Sequence, residues 1–383
     1  MTQKLYETNS YIKEFTATVL SCTEQNGRFL ATLDKTAFFP EGGGQAPDKG
    51  VLNNIEVLDV QEMGDSVVHT LEKPLEVGTK VIGQIDWALR FSRMQNHCAE
   101  HILSGVIHKL FGFNNVGFHM NDSLVTFDIS GTLTAEDIER VEHEANRAVF
   151  ENAEIVAFYP TAEEFETLNC RSKIELKEGV RLVHIKGFDT CACCAPHPGR
   201  AGEIGLIKIV NFYSFKGGTR IEMVAGALAL SDYSYLHNAA KSIMKQLSAK
   251  REEIATAVEK LGADLSAARF ENKGLLEKLA TANLKTERVG ESLVGFTENA
   301  DFGTLRNIAT PLCKNSKIVA LFSKMPDNTF NYLLASQNEN LTETTKQLNL
   351  AFAGKGGGKP NSTQGKISAE SQSEVLNFIK HKI

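Results

Sequence analysis

Two pairs of side chains suited to metal binding lie far apart in this sequence, and they restrict how the chain can fold. His97 and His101 are four residues apart in a stretch with the apolar spacing of an amphipathic helix. Because residues at positions i and i+4 lie on one helix face, both imidazoles can reach one ion. Cys193 and His197 are also four residues apart, in a loop that contains proline. Nitrogen and sulfur ligands suit tetrahedral zinc, so we expect the fold to bring both pairs together around one Zn²⁺.

The histidine pair also fits a different kind of zinc site. The segment from His97 to His101 matches H-x-x-E-H, the inverted zinc-peptidase signature, in which Glu100 would be the general base. A downstream glutamate, Glu175 or Glu178, would then be the third ligand. This hypothesis leaves the glycine-rich segments and the Cys/His loop unexplained.

The cysteines and the N-terminus indicate the cellular compartment of the protein. The cysteine count of seven is odd, and three cysteines crowd together at Cys191, Cys193 and Cys194, which leaves Cys191 and Cys194 as rival sulfur ligands. Such a cluster is more typical of metal binding or chemistry than of disulfides. Residues 1–15 lack an apolar signal core, and no stretch is apolar for the roughly 18 residues that a membrane span needs. We therefore expect a cytoplasmic protein without a membrane association.

Changes of pattern along the chain predict an α+β fold with four domains. Strand patterns dominate the N-terminal part, where Asn26-Gly27 is a hairpin signal. Helix and strand patterns then alternate, and both ligand pairs fall in this second region. Here Thr134 is predicted to cap a helix, with Asp137 three residues on, and near the C-terminus Ser368 is predicted to cap the final helix. The predicted domains are a β-barrel-like domain, an α/β domain, a coiled-coil or helical-hairpin segment and a small C-terminal α/β domain, at residues 1–89, 90–232, 233–288 and 289–383.

The third region carries an apolar heptad pattern. Apolar residues recur every seven positions from Leu247 to Leu275. This repeat predicts either one helix with a coiled-coil seam or a hairpin of two helices that breaks near Gly262 or Gly274. The seam makes a homodimer through this segment a candidate assembly.

Several motifs form a pattern that none of them carries alone. The segment Thr36–Gln45 reads TAFFPEGGGQ, and the H-x-x-x-H pair and the Cys193–His197 loop follow it. Together these residues resemble the editing half of alanyl-tRNA synthetase, and most closely the free-standing long-form alanyl-tRNA editing proteins called AlaX. The resemblance covers nearly the whole chain and includes Gly202-Glu203-Ile204-Gly205, Arg220-Ile221-Glu222 with Gly226, and the glycine-rich segment Gly354–Pro360.

The resemblance implies a function in trans. The chain has no room for a class II activation domain beside these regions, so the family implies deacylation of mischarged Ser-tRNA(Ala), with Gly-tRNA(Ala) as a second candidate. It implies zinc as the cofactor, and its register favours Cys193 over Cys194 as the sulfur ligand. A third hypothesis stays open beside the hydrolase and the peptidase, namely a non-catalytic tRNA-binding protein whose zinc is structural.

Four residues of the glycine-rich segment are candidate catalytic residues. The N–H groups of Gly43 and Gly44 are candidate oxyanion donors, because glycine lets a backbone approach a substrate closely. We assign Gln45 to hydrogen bonding near the ester or the terminal adenosine, and Thr36 to sensing the serine hydroxyl. The structural alternatives are that Thr36 ends a strand and that Gln45 satisfies the glycine backbone.

Basic residues at two places are candidate RNA contacts. The net charge of −6 provides no global attraction to nucleic acid, so RNA contacts must come from local patches. Arg90 and Arg93 precede the histidine pair, and Lys355, Lys359 and Lys366 lie in a segment predicted to be a flexible loop. Lysines and free backbone N–H groups suit phosphate, and solvated charge is the alternative at both places.

One departure from the family pattern affects the metal loop. Cys194-Ala195-Pro196 replaces the family's Gly-Gly-Thr, so any role of that threonine must be lost or supplied elsewhere. A second difficulty concerns chemistry, because four protein ligands make a closed zinc site, whereas catalytic zinc sites keep one position open.

Overall fold

The computed structural model describes residues 1–161, 163–164, 170–171 and 179–383, and it divides into two compact units. Unit 1 is Met1–Lys241 and unit 2 is Ser242–Ile383. Helices accompany β-sheets in both units, so the predicted α+β class is confirmed. The division into four domains stays a prediction. Within the described ranges, no helix is both long enough and apolar enough to cross a membrane.

The N-terminal part of unit 1 is a closed ring of six paired strands. Asn26 and Gly27 both have positive φ and join the first two ring strands, so the predicted hairpin is confirmed. The barrel-like form itself stays a prediction. Before the ring lie β1 (Gln3–Lys4) and α1 (Leu5–Thr8), and β1 pairs in parallel with β4 (Lys35–Thr36). The ring strands are β2 (Glu14–Gln25), β3 (Arg28–Leu33), β5 (Gly50–Leu52), β6 (Ile55–Met63), β7 (Ser66–Leu71) and β8 (Lys80–Ile85), paired in the order β2-β3-β7-β6-β5-β8.

A long buried helix, α2 (Trp87–Phe111), follows the ring. The Asp86 side chain caps its N-terminus by accepting a hydrogen bond from the Leu89 N–H. Gly112 ends it in the left-handed region, with φ of 72°. Most residues between Arg90 and Ile107 are buried, because α2 packs against helix, strand and turn elements of unit 1.

Two sheets and a second helix surround α2. The helix α3 (Ala135–Phe150) begins with the predicted cap, in which Thr134 and Asp137 form a reciprocal capping box. The four-stranded antiparallel sheet has the order β14-β15-β10-β9, and the three-stranded sheet has the order β11-β12-β13. Their strands are β9 (Asn115–Met120), β10 (Val125–Ile129), β11 (Ile155–Phe158), β12 (Leu182–Ile185), β13 (Asp189–Ala192), β14 (Ile207–Phe215) and β15 (Gly218–Ala225).

The heptad region forms two helices, α4 (Ala227–Leu247) and α5 (Ile254–Ala282). The prediction of a break near Gly262 or Gly274 is wrong, because α5 runs through both glycines. The chain breaks instead at Ser248, whose φ is 50°, and a short 3-10 turn at Arg251–Glu253 precedes α5. Mid-helix glycine costs only about 1 kcal/mol, which a long helix tolerates.

Unit 2 is built on a six-stranded sheet of order β16-β17-β18-β19-β21-β20. Side chains on its central strands alternate between two apolar clusters, one that includes Leu305 and one that includes Leu348 and Val375, so both sheet faces are covered by helices. The strands are β16 (Lys285–Val289), β17 (Ser292–Glu298), β18 (Val319–Lys324), β19 (Thr329–Ala335), β20 (Lys355–Lys359) and β21 (Ser362–Ser368), and the helices are α6 (Phe302–Leu312), α7 (Thr342–Ala351) and α8 (Gln372–Lys380).

Two predictions about the C-terminus are wrong. The glycine- and lysine-rich segment is an edge strand, β20, because its backbone pairs with β21 from Lys355 to Lys359. The last helix is capped by Ser371, which accepts a hydrogen bond from the Glu374 N–H, whereas Ser368 belongs to β21.

Candidate metal centre

The two ligand pairs meet in unit 1. One ring nitrogen each from His97, His101 and His197 and the Cys193 sulfur all lie within 4.8 Å of one another. The Cys193 Sγ is 3.6 Å from His97 Nε2 and 3.3 Å from His197 Nε2. Ligand atoms of a tetrahedral zinc ion are about 3.3–3.8 Å apart, given bond lengths of about 2.0–2.3 Å. The donor set and these separations therefore fit one such ion.

The helix and its neighbours orient the two imidazoles of α2. The His97 and His101 rings are stacked, with centroids 5.2 Å apart and an interplanar angle of 11°. The His97 Nδ1–H donates to Gln45 Oε1 at 2.8 Å, and the His101 Nδ1–H faces Asp189 Oδ2 at 3.4 Å. With each Nδ1 bonded outward, each Nε2 is left to face the cluster, which is the arrangement of metal-binding histidines.

The electrostatics of the cluster favour the thiolate of Cys193 and the neutral form of His197. For His101, by contrast, burial lowers the pKa, but hydrogen bonds to Asp189 and to cysteine sulfurs outweigh burial and raise this pKa well above its usual value. Burial raises the pKa of the Cys193 thiol, but the nearby imidazoles of His97 and His197 outweigh it, and this pKa lies well below its usual value. Burial also lowers the pKa of His197 to about 4, so its imidazole is neutral at pH 7. Thiolate sulfur and neutral imidazole are the forms that bind zinc.

The rival cysteines occupy other positions. The Cys191 thiol lies in β13 and donates to the Ala192 carbonyl at 3.7 Å. The Cys194 Sγ is turned towards the glycine turn, 3.9 Å from where a Cβ on Gly43 would lie. Of the three cysteines, the structure brings Cys193 into the four-residue cluster.

A cavity of about 370 Å³ opens beside the cluster. Three of the cluster's side chains lie on its wall, together with Gly43 and two arginines, whereas Gly44 and Gln45 are not among the residues that line it. Its volume falls in the range typical of small-ligand pockets. Residues that the sequence analysis did not single out also line it, namely Asn114, Asn115, Phe118, Arg171, Val180, Arg181 and Ala192. No local sequence signal identifies them, because they come from separate segments of the chain.

The glycine-rich segment forms a tight turn at this cavity. Gly42 and Gln45 exchange backbone hydrogen bonds of 3.0 and 3.1 Å, while Gly43 and Gly44 have φ of 58° and 82°. A Cβ on Gly44 would lie 2.6 Å from a ring carbon of Phe118, so glycine is required there. Within the described part of the chain, the N–H groups of Gly43 and Gly44 have no acceptor, and the buried Gln45 Nε2 has none either.

Thr36 does not line this cavity. It is fully buried, and its hydroxyl pairs with His69 Nε2 at 2.9 Å and accepts a hydrogen bond from the Phe38 N–H at 3.1 Å. Burial lowers the pKa of His69 to about 4, so the ring is neutral and its Nε2 accepts from Thr36. The structure thus gives the Thr36 hydroxyl partners within the fold and none at the cavity.

Arg90 and Arg93 are buried and are not positioned to contact RNA. Arg90 is 1% exposed and forms a bidentate ion pair with Asp48, with Nε 2.9 and 2.8 Å from the two carboxylate oxygens. Arg93 donates to the Pro47 carbonyl and, at 2.6 and 2.9 Å, to Asp122. Both arginines fix the segment after the glycine turn to α2, which corrects their predicted role.

The three candidate lysines lie in unit 2. Lys355 and Lys359 are exposed at the two ends of β20, and no ion pair is recorded for either among the described residues. Lys366 lies in β21, where its Nζ is 2.7 Å from an Asp327 carboxylate oxygen. Lys366 is therefore less available for phosphate than predicted.

Glu100, the base of the peptidase hypothesis, is held by its neighbours. Its buried carboxylate accepts hydrogen bonds from Ser104 and from the Asn115 side chain, although it lines the cavity. The glutamates proposed as the third ligand, Glu175 and Glu178, lie outside the described residues.

The altered residues of the metal loop are held by packing and by one arginine. Ala195 is fully buried against Tyr6 and Phe39. Arg181 donates to the carbonyl oxygens of Cys193 and Ala195 at 3.0 and 2.9 Å. The loop that carries Cys193 is therefore fixed without the family's threonine.

Comparisons with known proteins match two regions of this chain to synthetase families. Residues 6–89 match the family described as tRNA synthetases class II (A). Residues 180–222 match the threonyl and alanyl tRNA synthetase second additional domain. The second region contains the Cys193–His197 loop.

Individual relatives align along the whole chain. The alanine–tRNA ligase of Ignicoccus hospitalis is 27% identical over 99% of this chain, which spans only 42% of that ligase. The alanyl-tRNA editing protein AlaX-L of Pyrococcus horikoshii is 28% identical over 100% of this chain and 98% of its own length. The alanyl-tRNA editing protein Aarsd1 of Rattus norvegicus is 27% identical over 98% of both chains. The resemblance to the free-standing, long-form alanyl-tRNA editing proteins is therefore confirmed, and it extends over the full length of this chain.

Proposed function

We propose that this chain is a zinc-dependent hydrolase that removes serine in trans from mischarged Ser-tRNA(Ala), with Gly-tRNA(Ala) as a second substrate, in the cytoplasm. The observation that supports it best is one cavity whose wall combines residues of the His/Cys cluster with Gly43 of the glycine turn. Ester hydrolysis needs an activated water and a site for the oxyanion, and these two features are suited to those tasks.

The proposed metal ligands are His97, His101, Cys193 and His197. Bound zinc would supply a Lewis acid that can polarise a carbonyl or lower the pKa of a water. Four protein ligands fill the tetrahedral coordination shell, so zinc could bind water or substrate only if one of these ligands dissociates. We therefore assign orientation of the substrate ester to the surrounding residues.

The glycine turn is the proposed oxyanion site. The Gly43 and Gly44 N–H groups have no acceptor among the described residues and can donate to an oxyanion without breaking an existing hydrogen bond. The unpaired Gln45 Nε2 is a further donor for the ester or the terminal ribose, and its Oε1 holds His97. In this proposal Thr36 does not contact the substrate, and its only role is to hold the segment that leads to the glycine turn.

The proposed partners bind exposed surfaces of unit 2. Lys355 and Lys359 are exposed at the free edge of the unit 2 sheet, where lysines and unpaired backbone groups can contact tRNA phosphate. We propose homodimer formation through the helical segment, because apolar residues of α5 such as Leu261 and Leu265 are about half exposed.

The decisive experiment follows release of labelled serine and labelled alanine from the corresponding charged tRNA(Ala). We expect fast loss of serine with alanine retained, arrest by a zinc chelator and recovery on adding zinc. Substitution of a proposed ligand, Cys193→Ser, should lower the rate at least about 100-fold, since the metal site would be lost. Cys313→Ser in unit 2 is the matched control and should keep the wild-type rate.

The same assay separates the competing hypotheses. Glu100→Gln should retain deacylation, whereas a peptidase that uses Glu100 as its base would lose its activity. If the zinc-loaded protein binds tRNA but releases neither amino acid, the hydrolase proposal is wrong and a binding protein with structural zinc is favoured.

A further inference from the structure

A second cluster of metal-ligand side chains lies beside the first and shares one residue with it. The His101, Asp189 and Cys191 ligand atoms lie within 4.8 Å of one another, and His101 also belongs to the four-residue cluster. The arrangement could hold two metal ions bridged by the His101 imidazole. Alternatively, it could hold one ion bound by His101, with Asp189 hydrogen-bonded to the other ring nitrogen of His101. The contacts of Asp189 distinguish these possibilities.

Asp189 already has partners for both carboxylate oxygens. Arg171 Nε is 2.7 Å from Oδ1, and Arg171 Nη2 is 2.7 Å from Oδ2, while His101 Nδ1 is 3.4 Å from Oδ2. The Asp189 side chain is 2% exposed. A metal ion here would displace a bidentate guanidinium from a buried carboxylate and face its positive charge, so a second ion is disfavoured.

Arg171 is itself fixed in place. Its backbone N–H donates to the Thr190 carbonyl at 2.8 Å, and it forms a parallel bridge with Cys191 at the edge of β13. Its side chain is 15% exposed, at the wall of the cavity. Because hydrogen bonds fix both the backbone and the guanidinium of Arg171, the Asp189 carboxylate that Arg171 contacts is fixed as well.

We infer that Arg171 and Asp189 are positioning residues that hold His101 in the tautomer with Nε2 free for the metal, and that each chain binds one zinc ion. A carboxylate cannot donate, so the shared proton must lie on His101 Nδ1. This fixes the ring orientation and makes Nε2 the ligand atom, as carboxylates behind zinc-binding histidines do. The inference rests on the proposed zinc site and adds the residues that set its affinity.

The test compares Asp189→Asn with Asp128→Asn in the full chain. Asp128 forms a similar bidentate pair with Arg220, at 2.6 and 2.8 Å, and lies in β10 outside both metal-ligand clusters. Zinc affinity is measured by competition with a chromophoric chelator, and zinc per chain by elemental analysis. We expect about one zinc per wild-type chain, a roughly 10- to 100-fold weaker affinity for Asp189→Asn, and no change for Asp128→Asn.

Each result has a clear meaning. Equal zinc affinity for wild type and Asp189→Asn overturns the inference, and so does a second zinc per chain that is lost in that variant. A wild-type protein that binds no zinc refutes the proposed metal site instead. If Asp189→Asn does not fold, the nitrogen-15 spectrum of His101 in the zinc-loaded wild-type protein decides. Zinc on Nε2 with the proton on Nδ1 supports the inference, and zinc on Nδ1 overturns it.

Discussion

At the scale of single residues, His69 and Thr36 form a hydrogen-bond chain that has no exit to solvent. The His69 Nδ1–H donates to the Ala31 carbonyl at 3.3 Å, and its Nε2 accepts from the Thr36 hydroxyl. That hydroxyl accepts in turn from the Phe38 N–H. Both side chains are completely buried, so a proton added to His69 would have to be accommodated without water.

We expect His69 to make the fold sensitive to acid. Burial lowers its pKa to about 4 from the ordinary value of 6.5, so between these pH values the unfolded state binds more protons than the folded state. The free energy of unfolding therefore falls as pH falls through this window, by on the order of 3 kcal/mol from this residue. The measurement is urea unfolding, followed by circular dichroism, at several pH values from 7 to 4.

His69→Gln should weaken this dependence, because glutamine keeps a donor and an acceptor but does not titrate, while His197, whose pKa burial also lowers to about 4, still contributes. His143→Gln is the control, since the His143 side chain is 84% exposed, and it should keep the wild-type slope. An identical slope for the wild type and His69→Gln would contradict the prediction.

Residue roles were predicted correctly where residues close together in the sequence determine them. They were predicted incorrectly where a partner distant in the sequence determines them. The four cluster residues stood out by spacing and chemistry, and the structure brings them together. Arg90 looked like a solvent-facing charge because its partner, Asp48, is 42 residues away and the sequence does not show the pairing. Arg171 gave no signal at all, since its function depends on Asp189 across the fold.

At the scale of elements, periodicity predicted helices reliably, and glycine caused the errors. The histidine helix and the Thr134 cap agree with the structure, because both signals lie within a few residues. One of two alternatives predicted a hairpin that breaks near Gly262 or Gly274, but the helix continues through both. Glycine carries no side-chain pattern, so only tertiary pairing, as between β20 and β21, distinguishes a glycine-rich strand from a loop.

Gly262→Ala and Gly274→Ala should each stabilise unit 2. Both glycines lie inside α5, and a Cβ added at either would meet no atom within 4 Å. Alanine restricts the unfolded chain and suits a helix, so we expect about 0.5–1 kcal/mol from each change. Thermal and urea unfolding of the full chain, followed by helical circular dichroism, provide the measurement.

Gly290→Ala is the matched control within the same unit. A Cβ there would also meet no atom within 4 Å, but Gly290 has φ of 58°, so alanine should destabilise the turn by about 1 kcal/mol. If Gly262→Ala and Gly290→Ala change stability in the same direction, backbone conformation does not explain the effect.

At the scale of the whole molecule, the chemistry and the apolar helix surface are carried by different parts of the chain. The four cluster residues and the cavity belong to unit 1. In unit 2, Ala280 is the one buried residue of α5, while the apolar heptad side chains stay about half exposed. The heptad pattern was recognised from a local repeat in the sequence, but that repeat does not show which surface packs against the apolar side chains.

We expect the protein to form a dimer through this helix surface. Val258, Leu261 and Leu265 are 48%, 54% and 49% exposed, and Leu275 and Leu279 continue the apolar surface at 57% and 54%. An apolar surface along a 29-residue helix is typical of an interface, because water contact with it is unfavourable. Sedimentation velocity over a range of micromolar concentrations should give a dimer for the wild type and a monomer for Leu261→Glu combined with Leu265→Glu.

The double variant should still release serine from Ser-tRNA(Ala), since the proposed catalytic and metal residues all belong to unit 1. Lys260→Glu changes a neighbouring exposed charge without removing apolar surface, and it should remain a dimer. A wild-type protein that stays monomeric at every concentration would exclude the dimer. A monomeric double variant that keeps its helical content and its activity would show that this surface serves assembly rather than catalysis.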